Sequence, residues 1–346
     1  MKAGPRNTIT DVPGLQVGTA EDTAMRTGVT VILPDQRAVA AVDVRGGGTG
    51  TRETELLSGD GTVDEVDALV LGGGSAFGLA AADGVTGWLC GEGRGFRVGD
   101  IRVPLVPAAI LFDLLNGGDK QTIVAGDGHD LPYQLLGRRA VEGAGLELGN
   151  GNLGAGYGAT TTGHDGRSLK GGQGTASCVL EDGTTVGAIV AVNALGSVVA
   201  NARGQFLAGA LEHGDEFGGW GGPDRIEVHD HPITKGGLTD PGGNTTIAVV
   251  ASDAALDPRQ ARRVAMMAQA GMARAIRPVF TPMDGDVVFV VSTGRQAVSD
   301  MHKVAQIGMA AADCLARAVA RGVFHAESLD AAWPAYADAY APPVRR

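Results

Sequence analysis

Aromatic residues make up only 4% of this 346-residue chain, and cysteine occurs three times, at Cys90, Cys178 and Cys314. Three widely spaced cysteines give neither the even count of a disulfide framework nor the paired spacing of a zinc site. Two of them fall in apolar helical patterns, where a buried inert thiol is the ordinary reading. No stretch reaches the roughly 18 apolar residues of a membrane span, and the start, Met1 to Arg6, runs into polar residues without an apolar signal core. A soluble, cytoplasmic protein with no membrane partner is expected. Positive charge is scarce too: 28 Lys and Arg against 39 Asp and Glu leave a net charge of −11, and no basic run could follow a phosphate backbone. Nucleic acid is excluded as a partner on that ground.

What the chain does have is apolar residues, 44% of the total, and glycine, 56 of 346. The first allows a substantial core. The second is about twice the usual share of roughly 7% and, lacking a three-residue period, signals many tight turns or close backbone approaches. Val29–Leu33 and Ala38–Val44 read as short β-branched strands joined as a hairpin, and Val66–Leu71 as another strand. That run ends in Gly72-Gly73-Gly74-Ser75 before a helical pattern through Phe77, Leu79, Val85, Trp88 and Leu89. Leu135–Ala144 is a shorter helix. Residues 203 to 243 carry glycines and charges without periodicity and read as a long exposed connection. Beyond it come strand Thr245–Ala251, helix Pro258–Ile276, strand Asp286–Ser292 and helix Val298–Ala320, then a loose tail from Ala341 to Arg346. The class is mixed α/β.

Three familiar patterns lack their context. Gly149-Asn150-Gly151-Asn152-Leu153-Gly154 has the dinucleotide spacing, but no apolar strand leads into it. Gly72 to Ser75 is a glycine turn, yet Phe77 stands where a nucleophile elbow needs its last glycine. It reads instead as a helix start whose free N–H groups could bind an anion or carboxylate. His229 and His231 would share one face of an extended chain, but no further metal ligand lies nearby.

Asp240-Pro241-Gly242-Gly243-Asn244-Thr245-Thr246-Ile247 is a different case, because a glycine turn runs straight into a hydroxyl residue that opens a buried strand. In that geometry a side-chain oxygen can attack the preceding carbonyl, shift the chain from amide to ester, and free a threonine on hydrolysis. Its α-amino group, with an unperturbed pKa near 7.7, can serve as base for its own hydroxyl. Met283-Asp284-Gly285-Asp286 opens a later strand; the two carboxylates form either a hairpin turn or a pair that tunes a neighbouring ammonium or hydroxyl. Asn193 closes the run Ile189–Val192, as a turn residue or as an amide donor to an oxyanion.

Arg45-Gly46-Gly47-Gly48-Thr49-Gly50-Thr51-Arg52-Glu53-Thr54, Leu71 to Leu79, Val106 to Asp113, Gly154-Ala155-Gly156, Gly172 to Ala176 and Gly243 to Ile247, in this order and spacing, resemble the DmpA-type aminopeptidases, which include β-aminopeptidases and the nylon-oligomer hydrolase. The resemblance implies an αββα sandwich of the DmpA and ornithine-acetyltransferase-like type. It also implies one hydrolase domain over 1–346, cut between Asn244 and Thr245 into chains 1–244 and 245–346. No metal or cofactor is implied, and the αβ units would assemble as a homo-oligomer, a tetramer by resemblance. Thr245 would be the nucleophile, Asn193 the oxyanion donor, and Asp284 with Asp286 the supporting pair. Aminopeptidase members commonly carry serine and a Ser-Gly-Glu pair; Asn-Thr with Asp-Gly-Asp is similar to the nylon-hydrolase branch. Where many members have a lysine this chain has Gly163-His164, which leaves Lys170 as the nearest base, and Phe112 stands where the nylon-hydrolase pattern has a tyrosine.

The function this implies is hydrolysis of small peptide-like amides through Thr245, releasing an N-terminal residue. The alternatives are endo-hydrolysis of 6-aminohexanoate oligomers, a non-catalytic ligand-binding relative of the fold, and an acetyltransferase using the same threonine.

Overall fold

The architecture follows from how the most apolar strands divide their side chains. In the computed structural model, which describes residues 1–59, 61–126, 131–227, 235 and 243–340, all ten residues of the strand Thr245–Ala254 are buried. Successive side chains of a strand point to opposite faces. Ala248 and Val250 accordingly enter one core, while Ile247, Val249 and Ala251 enter another. Val287–Gln296 divides in the same way, with Val288 and Val290 on one side and Val287, Phe289 and Val291 on the other. A sheet covered on both faces reads as a continuous apolar run, which is what the sequence shows here.

One core lies between this sheet and the helices Pro258–Ala275 and Met301–Phe324. The second lies between two sheets, since Ile32, Leu69 and Leu71 face Ile247 and Phe289 across it. A third, holding Val29, Val31 and Val70, packs the second sheet against the helices Ala81–Gly91 and Tyr133–Glu142. The result is four layers, helix–sheet–sheet–helix, the αββα sandwich expected. Asp257 accepts from the Gln260 N–H and Asp300 from the Lys303 N–H, capping the two long helices where their first N–H groups lack partners.

The first sheet runs Lys2–Ala3, Gly172–Val179, Thr185–Asn193, Thr245–Ala254, Val287–Gln296, Ala38–Val44, Glu65–Val66 in spatial order. The second runs Leu15–Asp22, Thr27–Pro34, Leu69–Gly72, Ala108–Ile110, Thr51–Arg52. Thr245–Ala254 is antiparallel to Thr185–Asn193 and parallel to Val287–Gln296. That choice brings the end of one strand and the starts of two others to the same edge.

Four expectations are corrected. Thr27–Pro34 and Ala38–Val44 are strands but not a hairpin: they lie in different sheets, and the three residues between them cross the sandwich. Thr27–Pro34 is buried throughout and residues 38–42 are apolar on both faces, so their patterns fit either sheet, and only packing against the facing layer assigns them. The run Val66–Leu71 splits the same way, with Val66 in one sheet and Leu69–Gly72 in the other. The segment after residue 203 is not wholly exposed, because Phe206 and Phe217 are buried and pack edge to face. Among the thiols, Cys314 is buried on its helix but Cys90 is exposed, and the other buried thiol, Cys178, sits on a strand. His229, His231, residues 240–242 and the tail from Ala341 lie outside the described residues. Among the described residues no helix is long and apolar enough to cross a membrane.

Candidate active site

Sheet register assembles the site. Asn193, the last residue of its strand, is the direct antiparallel partner of Thr245, the first residue of the next. On the other side Asn244 bridges in parallel to Asp284. Asn193, Asn244, Thr245, Asp284 and Asp286 are all buried, none more than 3% exposed. Four of the candidates named from the sequence thus converge around the bond between Asn244 and Thr245.

The carbonyl oxygen of Asn244 receives two donors. One is the Gly285 N–H at 3.0 Å, the other the hydroxyl of Thr245 itself. A Cβ at residue 285 would lie 2.6 Å from Thr245 Oγ1 and 2.7 Å from the Gly48 carbonyl oxygen, so only glycine lets the two strand starts approach this closely. The Gly46-Gly47-Gly48 run explains itself here too: Gly48 N–H donates to the Asp284 carbonyl at 2.8 Å and Gly46 N–H to that of Asp286 at 3.2 Å. It clamps the Asp-Gly-Asp backbone in place.

Asn193 is oriented without ambiguity. Its Oδ1 accepts from the Thr160 N–H at 2.9 Å, the Thr160 hydroxyl at 3.2 Å and Lys235 Nζ at 3.3 Å, while its Nδ2 donates to the carbonyls of Phe112 at 3.0 Å and Gly243 at 3.1 Å. A flipped amide would set its NH₂ against three donors. Its donor edge therefore faces the turn that carries the Asn244–Thr245 bond.

The two aspartates hold backbone rather than bare solvent. Asp284 accepts from the Thr281 N–H and hydroxyl at 3.0 and 2.6 Å and from the Leu195 N–H at 3.3 Å. Asp286 accepts from the N–H groups of Thr246 at 2.7 Å and Phe280 at 3.0 Å. Burial, and after it the neighbouring Asp284 carboxylate, pushes Asp286 up to about 7, against the pull of those N–H donors.

Lys170, the base suggested from the sequence, is paired across a small hairpin with Thr160 and is buried. Its ammonium donates to the carbonyls of Gly156, Ala159 and Gly171 at 3.1, 2.9 and 3.0 Å, and burial brings it down to about 7. None of its hydrogen bonds among the described residues reaches Thr245, Asn193, Asp284 or Asp286. It braces the loop that presents Thr160 to Asn193. The cation in the site is one the sequence reading missed: Lys235 Nζ donates to Thr160 Oγ1 at 2.9 Å and to the Thr160 and Gly243 carbonyls at 3.3 and 3.4 Å, besides Asn193. The residue is half-buried but its ammonium end sits among protein acceptors, and desolvation lowers it to about 7. Its only signal in the sequence is that it is the sole Lys or Arg between Arg225 and Thr245.

The glycine turn Gly72–Ser75 does meet a carboxylate, but an internal one. Gly74 N–H donates to Asp113 Oδ1 at 2.8 Å, and Gly74, at φ +85°, abuts Tyr133, where a Cβ would lie 2.1 Å from the ring. The Gly149–Gly154 run forms a short bridge to Gln173, with no strand leading into a helix.

Comparison with known proteins points the same way. The model of peptidase family S58 matches residues 7–333. An uncharacterized aminopeptidase of Mycobacterium tuberculosis is 42% identical, over 96% of this chain and 98% of its own. A 6-aminohexanoate-oligomer endohydrolase of Kocuria sp. is 33% identical over 82% of this chain and 74% of its own. The L-aminopeptidase D-Ala-esterase/amidase of Ochrobactrum anthropi, described as a variant of the Ntn hydrolase fold, superposes with a TM-score of 0.70 at 23% identity, covering 96% of this chain and 90% of that one.

Proposed function

Because the chain belongs to peptidase family S58 and is a hydrolase of amide bonds, we propose that it first cuts itself between Asn244 and Thr245 and then works through the freed Thr245. The observation that carries this reading is the pair of donors on one carbonyl: the Thr245 hydroxyl on one side and the Gly285 N–H on the other. Attack of Thr245 Oγ on the Asn244 carbonyl carbon gives a five-membered ring whose oxyanion stays on the Gly285 N–H. Collapse expels the Thr245 nitrogen as an amine and leaves an ester. Water then hydrolyses that ester to an Asn244 carboxylate and a free Thr245 hydroxyl.

In the uncut chain Thr245 is 3% exposed, so the same step that creates the α-amine also frees the face a substrate must reach. The amine, near pKa 7.7 when unperturbed, takes the hydroxyl proton as Thr245 Oγ attacks a substrate amide. Asn193 Nδ2 and the Gly285 N–H stabilise the tetrahedral oxyanion, the leaving amine departs protonated, and water releases the acyl group. Asp286 and Asp284 hold the strand starts, and Lys235 fixes Asn193. Lys170 supports the same loop one residue further out.

Small peptide-like amides with a free N-terminal amine are the first substrate class, in keeping with the aminopeptidase relative. The threonine, the Asp-Gly-Asp pair and the Kocuria relative favour a second, endo-hydrolysis of 6-aminohexanoate oligomers. An aminoacyl anilide assayed beside a linear aminohexanoate oligomer separates them, since an exopeptidase requires the amine next to the scissile bond. Assembly of cut units into a tetramer belongs to the same reading and is checked by sedimentation. Intact mass of the wild type beside Thr245→Ala tests the centre of it: fragments 1–244 and 245–346 are expected in the wild type alone, and a single uncut species in both would remove the nucleophile from the account.

A further inference from the structure

The two buried thiols, Cys178 on the sheet and Cys314 on the helix packed against it, lie at the far end of that sheet from Thr245. Cys178 is opposite Val186, which pairs in turn with Ser252, whereas Asn193 pairs with Thr245. Seven rungs separate the two ends, about 23 Å at the usual rise per residue. Cys178 shares a face of its strand with Gly172 and Gly174, and that face meets the helix Met301–Phe324 at very short range. A Cβ on Gly174 would lie 1.9 Å from the Ala318 carbonyl oxygen, and one on Gly172 would lie 2.2 Å from that of Gly322. The helix is pressed onto the strand, and Cys314 projects from it to within 3.6 Å of the Val186 carbonyl oxygen, the residue facing Cys178. The Cys314 thiol donates to that carbonyl and the Cys178 thiol to Met1 Sδ, and the two side chains line one cavity, near enough to shift each other's titration.

Their surroundings make them unequal. The neighbouring Cys314 side chain, and after burial's opposing effect the Arg317 guanidinium, holds the Cys178 thiol below its ordinary value. The neighbouring Cys178 side chain, followed by burial, pushes Cys314 well up. The Arg317 guanidinium beside Cys178 favours that sulfur as the attacking one. Both line a cavity of about 280 Å³ whose wall includes His213, Arg317 and the half-exposed Met1, with Met1 Sδ 4.0 Å from Cys178 Sγ. A small solute therefore has a path to the pair when the Met1 side chain moves.

We infer that Cys178 and Cys314 are a redox pair that closes to a disulfide when the protein meets a hydroperoxide, tying the strand Gly172–Val179 to the helix Met301–Phe324. The Cys178 thiolate attacks the peroxide oxygen, the O–O bond breaks, and the alcohol or water leaves with a proton. The sulfenic acid so formed is attacked by the Cys314 sulfur; the S–S bond closes as hydroxide departs and takes the Cys314 proton as water. Two thiols lose two electrons and two protons, and one hydroperoxide is reduced. The bond formation does not depend on chain cleavage. Its consequence does rest on the reading above, since residue 178 precedes Asn244 and residue 314 follows it: in the cut protein the disulfide joins the two chains covalently.

The full chain, wild type and Thr245→Ala, is treated with hydrogen peroxide, quenched, digested without reductant and mapped by mass. The expected result is one cross-linked peptide pair carrying Cys178 and Cys314 in both proteins, abolished by dithiothreitol and missing in Cys178→Ala and in Cys314→Ala. On a non-reducing gel the wild-type fragments then migrate together and separate on reduction. A cross-link in an uncut wild type would uphold the pair while removing self-cleavage. Cut fragments with no Cys178–Cys314 peptide after peroxide that has fully oxidised the exposed Cys90, or with Cys178 and Cys314 found as separate sulfinic acids, would overturn it.

Discussion

The Gly285 N–H donates to the carbonyl oxygen of Asn244 at 3.0 Å, on the very bond whose far side is Thr245. A backbone donor in that place costs no side chain, but it demands a residue without Cβ, because Thr245 Oγ1 would lie 2.6 Å from one.

Gly285→Ala therefore displaces either the donor or the hydroxyl. Loss of one oxyanion donor typically costs about 10²–10³ in rate. A slowing of chain cutting in that range, followed by gel over time in freshly made protein, is the expected outcome; cutting at the wild-type rate would show that Gly285 does not serve the oxyanion.

Asn193→Ala removes the Nδ2 donor and leaves the Thr160 N–H and Lys235 without their common acceptor. On protein that has already been cut, kcat should fall by about 10² or more with a smaller change in KM, since the donor acts on the transition state. A change confined to KM would assign Asn193 to ground-state binding instead.

Lys235, held down to about 7, changes charge across the neutral range. Its ammonium form is the one that donates to Asn193 and Gly243, so turnover should decline as pH rises through about 7. Lys235→Arg, which stays charged, should carry that decline to higher pH, and Lys235→Met should abolish it together with most of the rate. A pH profile identical in all three proteins would remove Lys235 from the mechanism.

Lys170 bears on stability. Folding lowers it to about 7, whereas in the unfolded chain a lysine titrates near 10.4. Between those values the unfolded chain binds more protons, so this contribution is complete above about pH 10.4 and is lost as pH falls toward 7, at up to about 1.4 kcal/mol per pH unit. In the uncut Thr245→Ala background, denaturant midpoints at two pH values in this window should show the slope, and Lys170→Met should remove Lys170's share of it.

How far the sequence reaches is best judged at particular residues. Thr245–Ala254 and Val287–Gln296 are apparent as strands because a buried β-branched run has few other uses, and the two long helices because their apolar residues recur at helical spacing. The positions of Asn193, Thr245, Asp284 and Asp286 at strand ends followed from the same runs. What joined them was the order of strands: only with Thr245–Ala254 antiparallel to one neighbour and parallel to the other do an end and two beginnings coincide. Pairing is a long-range choice, and the local pattern of a strand buried on both faces is blind to it. The same blindness made a hairpin of Thr27–Pro34 and Ala38–Val44, which belong to different sheets. Lys235 was hidden because a lone lysine in an aperiodic stretch carries no spacing to read, and the Gly285 N–H because a backbone donor is present at every residue. Apolar periodicity determined the strands, the long helices and the polar residues at the strand ends, and motif resemblance implied the layers and the reactive threonine; the three-dimensional packing alone decided which groups reach the Asn244–Thr245 bond, since contact across the sheet depends on register that no single segment encodes.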